Sequence, residues 1–250
     1  MKMTGNTIFI TGGGSGIGRG LAEAFHKLGN QVIISGRRQS ALAETVAANP
    51  GMHSVELNVD DPVSIAAVAK KLIAEFPKLN VLINNAGIMK PDGVDSEVDD
   101  AVVASIVTTN LLGPVRMTSA LIEHLKAQPG AVVAYVTSGL AFTPLAMTAT
   151  YCATKAAMHS FALSQRYLLQ GTNVKVLEIA PPYVQTELLG EHQKSDPRAM
   201  PLDEYIAETM KLLCEGHEEI LVERVKPLRN NAGPNEAAFV KQLNDLMSGH

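Results

Sequence analysis

Thr11-Gly12-Gly13-Gly14-Ser15-Gly16-Ile17-Gly18 decides the fold. The stretch follows an apolar, β-branched run, TIFIT (7–11), and precedes the helical pattern GRGLAEAFHKLG. A turn this tight needs residues without a Cβ, for positive φ and for close approach of backbone to a ligand. The helix that follows aims its free N–H groups and positive dipole end at the turn, where a pyrophosphate is favoured. The spacing fits G-x-G-x-x-G in no register. It fits T-G-x-x-x-G-x-G through Gly12, Gly16 and Gly18. An ordinary strand-to-helix turn is the competing reading, and the position after the first strand argues against it.

Outward from that turn, apolar strand-like runs alternate with helical patterns. The runs are TIFIT (7–11), QVIIS (31–35), SVELN (54–58), VLINN (81–85), AVVAYVTS (131–138), VKVLEIA (174–180) and EILVE (219–223). The central runs are apolar along their whole length, as strands covered on both faces by crossover helices are. The order predicts an α/β protein: a single-domain, Rossmann-type, doubly wound parallel sheet of about seven strands, flanked by helices on both faces. Asp61 and Pro62 predict an N-cap and a first-turn proline for VSIAAVAKKLIAEF. No composition shift divides residues 1–250. The proline-containing stretch 181–203 predicts a mobile substrate loop, and 234–248 an amphipathic C-terminal helix.

The chain has 250 residues, 46% of them apolar, and a net charge of −4. No basic field exists to hold nucleic acid or anionic lipid, and no apolar run is long enough to cross a bilayer. The N-terminus lacks the pattern of a signal peptide. Two cysteines, Cys152 and Cys214, form neither a disulfide framework nor a metal spacing, and no metal is expected. A cytoplasmic location follows as the expectation.

TGGGSGIG, NNAG at 84–87, Ser138, Tyr151-Cys152-Ala153-Thr154-Lys155 and the P-x-x-x-x-T of Pro181 to Thr186 together resemble the short-chain dehydrogenase/reductase family. More narrowly, APPYVQTEL and EILVERVKPLR resemble its bacterial DltE-like oxidoreductase branch. The resemblance spans about residues 6–190, in the right order. It implies an oxidoreductase that interconverts a carbonyl and a secondary alcohol by hydride transfer. It further implies that Gly12, Gly14, Ser15, Gly16, Ile17 and Gly18 cradle the dinucleotide. Asn58 and Val59 would meet its adenine, with asparagine in place of the usual aspartate. Asn85, Ala86 and Gly87 would line the adenosine side.

By the same resemblance, Gly36 stands where an aspartate would select NAD, and Arg37 and Arg38 follow it. An arginine favours a 2′-phosphate, so NADP is the expected cofactor, with NAD the runner-up. Tyr151 and Lys155 lie one helical turn apart on one face. A free tyrosine is a poor base near neutrality, and a nearby cation favours its phenolate. The expected catalytic set is Tyr151 as proton donor or acceptor and Lys155 tuning it and holding ribose. Ser138 orients the carbonyl, and Asn110 supports a proton relay. Pro181, Val184 and Thr186 are expected near the nicotinamide, and Leu140, Tyr183 and Leu188 against the substrate. Pro182 departs from the family's glycine. Cys152 reads as a packing residue, His159 as an ordinary helical residue and His192 as a loop residue.

Three alternatives carry different consequences: the same chemistry with NAD(H), a non-catalytic dinucleotide-sensing regulator, or a partner-binding scaffold. The intact Ser138, Tyr151 and Lys155 argue against the sensor, and partner binding that persists after mutation of the glycine loop would mark the scaffold. A small-molecule carbonyl or alcohol is the expected partner. The helical stretches near 99–127 and 150–170 are apolar on more than one face, and the family resemblance implies that such helices make subunit contacts, so a homodimer or homotetramer is expected.

Overall fold

The protein is described by a computed structural model covering residues 1–231 and 233–248. Residues 232, 249 and 250 of the expected 1–250 unit lie outside the described residues. In chain order the elements are β1 (Thr7–Thr11), α1 (Gly16–Lys27), β2 (Gln31–Gly36), α2 (Gln39–Ala48), β3 (His53–Glu56), α3 (Pro62–Glu75) and β4 (Leu79–Asn84). Then come α4 (Asp100–Val107), α5 (Gly113–Lys126), β5 (Ala131–Val136), α6 (Ala149–Leu168) and β6 (Val174–Ile179). The chain closes with α7 (Leu202–Glu215), β7 (Glu219–Ile220), α8 (Lys226–Asn230) and α9 (Glu236–Ser248).

The seven strands form one sheet in the order β3-β2-β1-β4-β5-β6-β7, and every pairing is parallel. The chain builds outward from β1 to β3, then restarts beside β1 with β4. That reversal opens a crevice at the carboxyl ends of β1 and β4, where ligands bind in such sheets.

The continuous apolar strands serve two cores. Ile8, Ile10, Val32 and Ile34 point to one face, against Leu21 and Phe25 of α1 and Tyr205 of α7. Phe9, Ile33, Leu82 and Val133 point to the other, against Leu72 of α3, Met117 of α5 and Met158 of α6. Strand side chains alternate faces, so a sheet covered twice has no polar side to offer.

Local chemistry fixes several boundaries. Asp61 accepts from the Val63 N–H at 2.9 Å and Pro62 opens α3, as the sequence predicts. The third strand is shorter than 54–58, because Asn58 leaves the ladder and its Oδ1 accepts from the Asp60 N–H at 3.2 Å. The seventh strand keeps only two residues of 219–223, since a 3₁₀ turn begins at Glu223 and Pro227 then opens α8. The 99–127 helical stretch is divided by a π-helical turn, Thr108–Leu112. Such turns occur often at functional sites, and this one carries Asn110.

The irregular 181–203 segment is internally anchored. Val184 bridges to Met200, and the Met200 N–H donates to the Tyr183 carbonyl at 2.8 Å. Gln193, buried, donates to the Val184 carbonyl at 2.7 Å.

Two turns meet at the crevice. The Thr11 hydroxyl oxygen accepts from the N–H groups of Asn85 and Ala86, each at 3.0 Å. Thr11→Val keeps the shape but leaves both donors without that acceptor. It is predicted to lower unfolding stability by about 2 kcal/mol in urea titration, within the usual cost of orphaned buried groups. A loss below about 0.5 kcal/mol would mean the two N–H groups find another acceptor.

Candidate active site

One cleft of about 670 Å³ runs across the carboxyl ends of the strands. At one arm lies the glycine turn. Gly12 has φ +68°, a conformation that favours glycine. Gly18 has no room for a side chain, because a Cβ there would sit 2.3 Å from the Gly12 carbonyl oxygen and 2.4 Å from Asn85 Nδ2. Asn85 Nδ2 in turn donates to the Thr11 and Gly12 carbonyls at 3.0 and 3.2 Å. Gly12, Gly14, Ser15, Gly16, Ile17 and Gly18 all line the cleft. The first N–H groups of α1 have no intrahelical acceptors and sit at this turn.

Arg37 and Arg38 both line this arm beyond Gly36. Arg38 Nη2 donates to the Ser15 hydroxyl at 2.9 Å, while Arg37 lies 3.6 Å from the Asp60 carboxylate. The sequence favoured Arg37, yet Arg38 is the arginine bonded to the glycine turn. Arg38 also stands 3.8 Å from Glu187 of the 181–203 segment. Bare backbone, free N–H groups and a guanidinium on one arm fit a dinucleotide's phosphates.

Val59, Asn85, Ala86 and Gly87 line the cleft as expected, whereas Asn58 is not among the residues that do. Asn58 is spent on its own turn: its N–H donates to Ser64 Oγ at 3.1 Å and its side chain accepts from Asp60.

The cleft floor holds Ser138, Tyr151 and Lys155, all buried. Ser138 follows β5, where its Oγ accepts from the Leu140 N–H at 3.1 Å, and it lines the same cleft as Tyr151. Lys155 Nζ donates to the Val136 carbonyl at 2.8 Å and lies 5.5 Å from the Tyr151 ring centre. Burial pushes the Tyr151 phenol well above tyrosine's usual value, with the Ser138 hydroxyl as a lesser, opposing influence. Burial lowers the Lys155 ammonium to about 8. Burial therefore opposes the acidifying influence expected of Lys155. Desolvation dominates, and the lysine is turned to a carbonyl.

Asn110 does not line the cleft; it braces the floor from behind. Its Oδ1 accepts from the Ile88 N–H at 2.8 Å, and its Nδ2 donates to the Ile88 carbonyl at 2.8 Å and to Thr154 Oγ1 at 3.3 Å. It thus ties the turn after β4 to the helix bearing Tyr151. Cys152 is buried, its sulfur within hydrogen-bond reach of Leu145 and Thr148, which suits a packing role.

Pro181, Pro182, Tyr183, Val184, Thr186, Leu188 and Leu140 line the cleft too. Pro182 needs no positive φ, so the turn tolerates the missing glycine. The Pro181 carbonyl accepts from the Gly139 N–H at 2.8 Å, which locks this turn to the one bearing Ser138. Tyr183 points its hydroxyl to Asp196 at 3.1 Å.

Sequence reasoning missed two features. Leu243 and Met247 of α9 reach the cleft. His159, read as an ordinary helical residue, bonds through Nδ1 to Glu178 at 2.7 Å; Glu178 is buried and also accepts from Thr137 Oγ1 at 2.7 Å. With Glu219 these groups lie within 4.8 Å of one another. Glu219 already accepts from Arg229 at 2.8 Å, so the cluster is a paired network of two acids and two bases. His192 lies in a 3₁₀ turn, Glu191–Ser195, of the loop.

Comparison with known proteins gives one result. The short chain dehydrogenase family profile matches residues 6–197. The chain is 41% identical to the uncharacterized oxidoreductase DltE of Bacillus subtilis (strain 168), over 98% of both chains. It is 30% identical to an NADP-dependent 3-hydroxy acid dehydrogenase of Schizosaccharomyces pombe, over 96% of this chain and 99% of the other. Its fold is similar to a Burkholderia cenocepacia short chain dehydrogenase solved with NADP (TM-score 0.84, 24% identity, 97% and 99% coverage). It is also similar to a Burkholderia phymatum short chain dehydrogenase/reductase solved with NAD (TM-score 0.81, 20% identity, 100% and 97% coverage).

Gly18→Ala forces the two turns apart, so NADPH binding, followed by nucleotide fluorescence, is predicted to weaken at least ~10-fold, a cost of about 1.4 kcal/mol. Unchanged affinity would show that the turns separate without moving the phosphate arm.

Proposed function

The chain belongs to the short chain dehydrogenase family, and on that premise we propose that it is an NADP(H)-dependent oxidoreductase interconverting a carbonyl and a secondary alcohol. As a family member it is an NAD(P)-dependent oxidoreductase; the choice of NADP, the catalytic residues and the substrate are this proposal's content. One observation carries it: Ser138, Tyr151 and Lys155, all buried, share a cleft with the bare glycine turn.

A dinucleotide bound in the cleft supplies the hydride. The residues do the rest. Gly12 to Gly18 and the start of α1 receive phosphate, and Lys155 holds a ribose hydroxyl. Arg38 beside Ser15, with Arg37 and no acid at Gly36, favours the extra phosphate of NADP. The S. pombe relative's NADP dependence supports the same choice.

The substrate oxygen lies between Ser138 Oγ and the Tyr151 phenol. In reduction, charge grows on that oxygen as the carbonyl carbon becomes tetrahedral. The Ser138 hydroxyl then donates a hydrogen bond to it, and the phenol gives up its proton. Burial suits this direction, since it keeps the phenol protonated until that charge appears. The Lys155 charge then stabilises the phenolate left behind. Asn110 holds the floor rigid by joining Ile88 to Thr154. In oxidation the proton moves the other way.

NADPH and NADH oxidation, followed optically with ketones, aldehydes and keto acids, tests the reading. Wild-type protein is predicted to turn over with NADPH preferred. Tyr151→Phe is predicted to lower kcat by ~10²–10⁴, the usual share of general acid catalysis, with NADPH binding retained. Equal rates in both proteins would remove Tyr151 from the chemistry, and tight NADPH binding with no wild-type turnover would favour a sensor.

A further inference from the structure

The final helix belongs to the reaction chamber. Phe239, Val240, Leu243, Asn244 and Met247 are the less exposed positions of α9 together with Asp245. The first five recur at helical spacing and form one face. Leu243 and Met247 of that face line the cleft. Met247 packs into the apolar cluster that holds Tyr151, Leu145 and Leu140, with Ile88 and Met89 from the turn after β4. Asn244 latches the helix: its Oδ1 accepts from the Ala146 N–H at 2.5 Å, and its Nδ2 donates to the Pro144 carbonyl at 3.1 Å. The latch fixes α9 to the turn between Ser138 and α6.

The chemistry of this wall is one-sided. Its side chains around Tyr151 are leucines, methionines and an isoleucine. Among the described residues lining the cleft, the cations are Arg37 and Arg38 on the phosphate arm, Lys155 on the floor, and Lys90. Lys90 is exposed and its Nζ donates to Ser105 Oγ on α4 at 3.3 Å. A carboxylate placed against the wall would lose its water and gain no bidentate partner, which is unfavourable. An alkyl or aryl group there would gain from leaving water.

We propose that α9 forms the outer wall of the substrate chamber, with Met247 seated over the reacting oxygen's position, and that the chamber takes an uncharged carbonyl compound with an apolar substituent. This rests on the oxidoreductase reading above. It goes beyond it by naming the substrate class and a specificity residue remote in sequence from the shared motifs.

The test measures binding and turnover separately. Calorimetric titration of the protein–NADP⁺ complex, which cannot reduce the ketone, with 2-alkanones from four to eight carbons is predicted to show affinity rising up to ~4-fold per methylene, from about 0.8 kcal/mol each. 2-Ketooctanoate is predicted to bind at least ~10-fold more weakly than 2-octanone, because its carboxylate is desolvated without a partner. Met247→Asp is predicted to weaken 2-octanone binding by at least ~10-fold and to leave NADPH affinity unchanged. Leu246→Asp places the same charge on the outer side of α9, where Leu246 is 71% exposed, and is predicted to leave both affinities unchanged. Preference for the keto acid, absence of alkanone binding, or equal losses in the two variants would overturn the proposal. Alkanone binding with the predicted pattern but no NADPH oxidation would support the chamber and sink the oxidoreductase reading alone.

Discussion

The structure depends on the contact between two turns, one at the end of β1 and one at the end of β4. The Thr11 hydroxyl takes two N–H groups of the β4 turn, and Asn85 returns its amide to two carbonyls of the β1 turn. Gly18 makes this possible by having nothing where a Cβ would strike both partners. The parallel order alone places these strand ends side by side. The hydrogen bonds then hold the crevice to one width, and the turn at Asn85 to Gly87 leads directly to Ile88, which Asn110 grips. The phosphate arm and the reaction floor are therefore one rigid object.

Burial decides the electrostatics of that floor. Tyr151 and Lys155 are both withdrawn from water, and desolvation disfavours the charged form of each. Burial raises the phenol and lowers the ammonium to about 8. The ammonium has a hydrogen-bond partner that limits the cost, the Val136 carbonyl.

Much of this was legible in the sequence, because it is local. The glycine turn, the Asp61-Pro62 helix start and the one-turn offset of Tyr151 and Lys155 are encoded within a few residues. The doubly covered sheet was legible from apolar runs that never alternate. What stayed hidden depends on residues far apart in the chain. Lys155 lies one helical turn from Tyr151, but its Nζ donates a hydrogen bond to the Val136 carbonyl of β5, a contact that helix spacing does not show. Asn244 and Met247 reach the site across about a hundred residues, on a helix whose amphipathic pattern says only that one face is covered. Glu178 is an acid in an apolar strand; that signal was present, and its partner His159 could have been sought on the facing helix. The π turn at 108–112 has no periodicity of its own to read.

The account's central claim is that Tyr151 waits in the cleft as a neutral phenol, kept so by burial and not made acidic by Lys155. Carbon NMR of protein labelled at tyrosine Cζ, with Tyr151→Phe to assign the resonance, measures this directly across pH. The account predicts that the Tyr151 signal stays at its phenol position past pH ~10, where an ordinary tyrosine is half ionised. Ionisation of Tyr151 well below that pH, in the protein without nucleotide, would contradict it and return the lysine to the leading part.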